Sequence, residues 1–133
     1  MMLFPAERAA FVTEFIADAL VAGNARSLPS ACGPFDGSPL DEWIKSYRSV
    51  EALDFDVLVP GHGSELLDRT LVRETREFFE DLRNEVAAGM AAGQTLEQLK
   101  KSVKLERYKH WANYERLRAY NVEAAYRNLE TYR

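Results

Sequence analysis

The feature that most constrains this chain is a short apolar segment ending in a histidine flanked by glycines. The run from Phe55 to Val59 predicts a buried strand, because it is a short, mostly aliphatic stretch bounded by turn-forming residues. Pro60-Gly61-His62-Gly63 follows it, so an imidazole sits at the tip of a strand where the backbone permits close approach. A histidine in this position is a candidate metal ligand.

Two interpretations of His62 follow from the residues alone. In one it binds a metal ion, and in the other it hydrogen-bonds a backbone carbonyl within its own turn. His110 precedes Trp111 at a predicted helix start, where a structural or exposed role is expected. Cys32 is the single cysteine, which excludes an internal disulfide, and no activating base lies near it in the sequence.

Composition excludes several classes of protein. A chain of 133 residues with 47% hydrophobic and 29% charged residues is expected to fold as one soluble domain. Its net charge of −4 argues against non-specific nucleic-acid binding, which needs a basic surface. No apolar stretch reaches the roughly 18 residues of a membrane span, and no signal peptide is evident, so we expect no membrane partner and a cytoplasmic location.

Hydrophobic periodicity and turn residues predict the order strand, helix, strand and three helices. The predicted ranges are a strand at 9–17, a loop at 22–38, a helix at 39–52, a strand at 55–59, helices at 65–92 and 96–103, a polar connector at 104–109 and a final helix at 111–132. Ser38 is the expected cap of the first helix, with Pro39 at its first position. Thr95 and Gln98 predict a capping box.

The predicted sheet is too small to stand alone. Two strands joined by one helix form a β-α-β unit, and parallel strands need cover on both faces. Either further strands escape the pattern, or another chain completes the sheet by oligomerisation. We expect a single α/β (α+β) domain over 1–133, with a strand-helix-strand part at 1–63 and a helical part at 64–133.

The segment from Leu40 to Gly63 resembles the C-terminal half of metallo-β-lactamase-fold hydrolases. The residues that carry the resemblance are the helix containing Trp43, the strand ending in Pro60-Gly61-His62-Gly63, and the helices that follow. The resemblance extends from Phe11 onward and so covers most of the chain. It implies part of an αββα sandwich with a metal site at one sheet edge, usually occupied by two zinc ions.

The resemblance also implies ligands. His62 would be the last histidine ligand, and Glu14 best matches an acidic ligand that bridges the two metals, with Asp18 as a weaker match. The family has aspartate at the Glu14 position, and the extra methylene moves the carboxylate by about one bond length. From the residues alone, we prefer to interpret Glu14 as a strand carboxylate that is solvated or paired with Arg48 or a lysine.

The family's His-x-His-x-Asp-His motif is absent from this sequence, whose only histidines are His62 and His110. A hydrolytic zinc site needs three protein ligands and an open position for water. We therefore expect a truncated metallo-β-lactamase-like homo-oligomer that lacks full hydrolase activity and binds zinc weakly or not at all. The alternatives are a non-catalytic interaction or oligomerisation module, and a metal-dependent hydrolase of small ester, thioester, lactam or phosphoester substrates whose missing ligands come from a partner chain.

Overall fold

The computed structural model describes residues 1–12, 20–21, 25–30, 35, 37–61 and 66–132. Within these residues the chain is a mixed α+β protein, with a small sheet beside a larger helical part. The strands are β1 Met2–Phe4, β2 Ala9–Val12, β3 Leu20–Val21, β4 Ala25–Arg26 and β5 Val57–Pro60, and the helices are α1 Leu40–Glu51, α2 Arg69–Ala91, α3 Leu96–Ser102 and α4 Tyr114–Thr131. A single 3-10 turn, Glu106–Tyr108, lies between α3 and α4.

The main sheet has the order β1-β2-β5. β2 and β5 are parallel, as a β-α-β unit requires, because α1 lies between them in the chain. β1 pairs antiparallel with β2 and adds a third strand that the sequence analysis did not predict. The structure thus supplies a further strand, which is one of the two alternatives left open for the small predicted sheet. One part of the predicted 22–38 loop instead belongs to a small hairpin of β3 and β4.

The first helix forms where its apolar stripe predicts, but it begins differently. Trp43, Ile44, Tyr47 and Val50 are buried, which confirms the predicted face. The N-cap residue is Pro39 rather than Ser38, and no side chain within the segment caps the helix. The backbone N–H of Leu40 instead donates to Asn128 Oδ1 at 2.8 Å, so a distant helix supplies the cap.

The long helix α2 begins at Arg69, four residues later than predicted, because Asp68 is its N-cap. The Asp68 side chain accepts a hydrogen bond from the Leu71 N–H at 2.7 Å. Thr75 is buried with the predicted stripe, and its hydroxyl donates to the Leu71 carbonyl at 2.8 Å. Phe79 is also fully buried, although it lies beside the predicted stripe.

The helix α3 confirms the predicted capping box. Thr95 Oγ1 accepts from the Gln98 N–H at 3.3 Å, and the Gln98 side chain accepts from the Thr95 N–H at 2.8 Å. Gly89 of α2 faces α3 so closely that a methyl group there would overlap the Leu99 side chain. This contact explains why a glycine lies within the helix despite its low helix propensity.

The predicted polar connector 104–109 is partly buried instead. Leu105 and Tyr108 are buried, and the ring of Tyr108 contacts Phe78 and Trp111 edge-on at centroid distances of 5.2 Å and 5.0 Å. The last helix begins at Tyr114, three residues later than predicted, since residues 111–113 form a turn. Helical spacing from Leu129 predicts Tyr132 on the apolar side of this helix, but Tyr132 is 45% exposed.

Asparagines of the last helix hold the segment that precedes α1. Asn121 Nδ2 donates to the Pro29 carbonyl at 2.9 Å, and Asn128 Nδ2 donates to the Ser38 carbonyl at 2.8 Å. Both asparagines are buried, at 0% and 4% exposure. Because buried amides are stable only when hydrogen-bonded, α4 and the segment around Ser38 fix each other's position.

We expect Asn128→Ala to lower the free energy of unfolding by about 1–3 kcal/mol, because it leaves the Leu40 N–H and the Ser38 carbonyl without this partner. Urea titration followed by far-UV circular dichroism measures the change. Arg127→Ala is the matched control, since Arg127 lies beside Asn128 and makes an exposed ion pair with Glu123. Equal midpoints for the two variants would contradict the capping role of Asn128.

Candidate functional site

The candidate site begins where β2 and β5 end. Val12 lies opposite Pro60 in the parallel register, and the Gly61 N–H donates to the Val12 carbonyl at 3.1 Å. The two strands therefore end level with each other at one edge of the sheet, called here the carboxyl edge. Loops that follow the carboxyl ends of parallel strands are a common location for ligand sites in α/β proteins.

The two predicted metal ligands follow these strand ends in the sequence. Glu14 comes two residues after Val12, and His62 comes two residues after Pro60. Both lie outside the described residues, as do Cys32 and Asp18. The structure thus describes the strands that lead to the predicted ligands, and the ligand set itself stays a prediction.

An ion-pair cluster fixes the opposite, amino-terminal edge of the same strand pair. The Arg8 guanidinium donates to both oxygens of Asp54 at 2.9 Å, and to the two oxygens of Asp56 at 2.7 Å and 3.0 Å. The Arg8 carbonyl also accepts from the Asp56 N–H at 2.7 Å. Since Arg8 precedes β2 and the aspartates precede β5, these exposed ion pairs add to the register that burial of Ala10, Val12 and Leu58 favours.

The cluster shifts the ionisation of its members. Hydrogen bonds from the Arg8 guanidinium hold the pKa values of Asp54 and Asp56 below their ordinary range, and the two carboxylates raise the pKa of Arg8. Arg8 also has a φ of 49°, in the left-handed region that non-glycine residues rarely adopt. Its contacts with both aspartates stabilise this backbone conformation.

The sequence analysis did not identify this cluster. A signal was present, because Asp54 and Asp56 alternate around the buried Phe55 immediately before a strand, and Arg8 stands immediately before the other strand. Period-two spacing of this kind places both carboxylates on one side of an extended segment. The partner Arg8 is 46–48 residues away in sequence, so the pairing follows only once the strands are known to be neighbours.

Two further residues considered from the sequence, Arg48 and His110, belong to the described part of the chain. Arg48, considered as a partner of Glu14, donates to Glu80 Oε1 at 2.7 Å. His110 is exposed in the turn before α4, in agreement with the expectation of a structural or exposed role. Among the described residues, no group of three His, Cys, Asp or Glu side chains is arranged to hold a metal ion.

A groove of about 440 Å³ lies between α1 and α2 in the described part of the chain. Its charged lining is internally paired, because Arg83 binds Asp41 at 2.9 Å and Arg48 binds Glu80 at 2.7 Å. Lys45 at its rim pairs with Glu42 at 2.5 Å. These ion pairs neutralise the groove, so its chemistry does not select an anion or a cation.

Comparisons with known proteins add no assignment, since neither a protein-family profile nor a curated protein sequence matches this chain. No helix in the described part of the chain combines the length and apolar character needed to cross a membrane.

We expect Arg8→Gln to lower the melting temperature at pH 7. We also expect the melting temperature of the variant to depend less on pH in the acid range, because Asp54 and Asp56 lose the partner that lowers their pKa values. A carboxylate whose pKa is lowered by folding stabilises the folded state above its ordinary pKa, and this stabilisation is lost as pH falls through the lowered value. The difference between wild type and variant should therefore be largest above the ordinary aspartate pKa of about 4 and shrink as the pH falls below it.

Thermal melts across this pH range measure the effect. Lys45→Gln is the control, because it removes an exposed ion pair between neighbouring turns of one helix. If the melting-temperature difference between wild type and Arg8→Gln stayed constant from neutral to acid pH, the stabilisation by Arg8 would not come from its ion pairs with Asp54 and Asp56.

Proposed function

We propose that this chain is a truncated metallo-β-lactamase-like α/β domain whose carboxyl edge binds one zinc ion weakly through His62 and Glu14. The observation that supports it is the parallel register of β2 and β5, which ends both strands at the same edge. The order of the elements, with α1 before β5 and three helices after it, also agrees with the resemblance seen in the sequence.

Chain connectivity limits how far the two ligands can lie from that edge. Glu14 and His62 each follow a member of the strand-end pair Val12 and Pro60 by two residues in the sequence. Neighbouring strands are separated by about 4.8 Å. An imidazole nitrogen and a carboxylate oxygen that start from adjacent strand ends form a chemically suitable pair of zinc ligands.

Two ligands suit weak binding rather than hydrolysis. Catalytic zinc sites use three protein ligands, which hold the metal while it lowers the pKa of a bound water to about 7. We therefore propose that the isolated chain lacks full hydrolase activity. A hydrolase acting on a small ester, thioester, lactam or phosphoester would need further ligands from a partner chain. We also propose a cytoplasmic location.

A second candidate function is a non-catalytic interaction or oligomerisation module. The specific observation that favours it is the apolar exposure of the small sheet, where Met2, Phe4 and Phe11 are 59%, 46% and 36% exposed. Solvent-exposed aromatic and methionine side chains on adjacent strands are typical of a surface that binds a partner.

We expect protein purified without chelator and dialysed against zinc to hold up to one zinc ion per chain, and His62→Ala to hold less than a tenth of that amount. Elemental analysis and zinc titration calorimetry measure the content and the affinity. Glu14→Gln should weaken binding, since it removes the carboxylate charge while keeping the shape of the side chain.

His110→Ala is the control for non-specific binding, because His110 is the only other histidine and is exposed in the structure. Zinc content that is unaffected by His62→Ala, or that is lost equally in His110→Ala, would overturn the proposed site. Absence of bound zinc in the wild-type protein at millimolar zinc would overturn it as well.

A further inference from the structure

Strands β2 and β5 have one face packed in the apolar core and one face more open to solvent, whereas β1 at the edge of the sheet is exposed along its whole length. On β2 the alternation is clear, because Ala10 and Val12 are 0% and 1% exposed while Phe11 between them is 36% exposed. On β5, Leu58 is fully buried, whereas Val57 and Val59 are only partly buried. Side chains that alternate in this way point to opposite faces of a sheet.

Strand pairing shows which residues share the open face. Met2 lies opposite Phe11, and Phe4 lies opposite Ala9. Across the parallel pair, Phe11 lies opposite Val59. An antiparallel bridge between Leu58 and Leu67 places the neighbouring Leu66 on the same side. The outer sheet face, as we call it, consists of Met2, Phe4, Ala9, Phe11, Val57, Val59 and Leu66.

Every residue of the outer sheet face is apolar, and the largest are well exposed. Leu66 is 63% exposed, in addition to the exposed fractions of Met2, Phe4 and Phe11 given above. Scaled by the full area of such side chains, these fractions amount to a patch on the order of 400 Å². A continuous apolar patch of this size is at the level that marks interaction surfaces on soluble proteins.

We propose that the outer sheet face binds the same face of a second copy of this chain, sheet against sheet. The inference names the partner of the interaction module proposed above and does not depend on the metal. Two such sheets would pack about 10 Å apart with their strands rotated by about 30°, and the helices of each copy would lie outside. The result is a helix–sheet–sheet–helix arrangement built from two chains.

We infer a second copy of the chain as the binding partner because the described residues of this face carry no charge. In a two-fold interface each residue meets its own equivalent surface, so a charged side chain near the centre would face a like charge. None of the described residues assigned to the outer sheet face carries a charge. Two copies can therefore bring these faces together without electrostatic repulsion between them.

The size of the patch also sets the strength of the dimer. Two copies would bury about 800 Å² in total, which is below the 1,200–2,000 Å² of a standard stable interface. We therefore expect a weak dimer that dissociates on dilution. Pairing through the free edge of β1 is the competing geometry, and it would leave the outer sheet face uncovered.

Sedimentation velocity of the full chain, from about 1 µM to about 300 µM, tests the proposal by measuring the dissociation constant. Phe11 is the informative position, because it lies on the central strand, where a substitution alters the face but not the free edge. We expect Phe11→Lys and Phe11→Thr each to raise the dissociation constant at least about tenfold. Threonine favours strands, so the second variant retains the fold should lysine disturb it.

Tyr120→Lys is the matched control, because Tyr120 is 47% exposed on α4 and lies outside the sheet. Its dissociation constant should equal that of the wild type. A wild-type protein that stays monomeric at about 300 µM would overturn the proposal and indicate a different polypeptide as the occupant of the face. A dimer unaffected by both Phe11 substitutions would overturn it in favour of the β1 edge.

Zinc content measured on the same samples separates this inference from the metal site. Phe11→Thr should keep the zinc content of the wild type while weakening the dimer, and His62→Ala should keep the dimer while losing the zinc. Loss of both properties in Phe11→Thr, with circular dichroism showing an intact fold, would contradict the independence of the face from the carboxyl edge.

Discussion

The parallel pairing of β2 with β5 is the constraint on which the rest of the sheet depends. A parallel pair has no local turn to set its register, because the strands are joined through α1. Burial of Ala10, Val12 and Leu58 favours the observed register, and the exposed ion pairs of Arg8 with Asp54 and Asp56 support it from the far side of the crossover. A shift of one residue would turn the buried Leu58 to solvent and Val59 to the core, and would also move the carboxyl edge.

The helical part contributes a second long-range constraint. Asn121 and Asn128 of α4 bind backbone carbonyls of the segment that leads into α1, and α1 in turn leads into β5. The position of β5 thus depends on hydrogen bonds made near the end of the described chain. The two asparagine hydrogen bonds therefore connect the sheet to the helices in addition to the apolar core. Their role explains why both asparagines are buried.

Elements with strong local signals were predictable, and those defined by distant contacts were not. The capping box of Thr95 and the apolar stripe of α1 are encoded within a few residues, and the structure confirms both. β1 was missed because three residues are too few to show a period, and the cap of α1 was misassigned because Asn128 is 88 residues from Leu40. The order of strands and helices led to a candidate edge, but the geometry of Glu14 and His62 depends on contacts that sequence spacing does not contain.

The carboxyl edge and the outer sheet face belong to the same small sheet, and the symmetry of a dimer would determine how they combine. If the two-fold axis ran along the strands, both carboxyl edges would lie at one end of the dimer. If the axis ran across the strands, the edges would lie at opposite ends of the dimer. In either geometry the outer sheet face and the strand ends are formed by different residues, so packing of the two faces does not require anything to bind at the carboxyl edge.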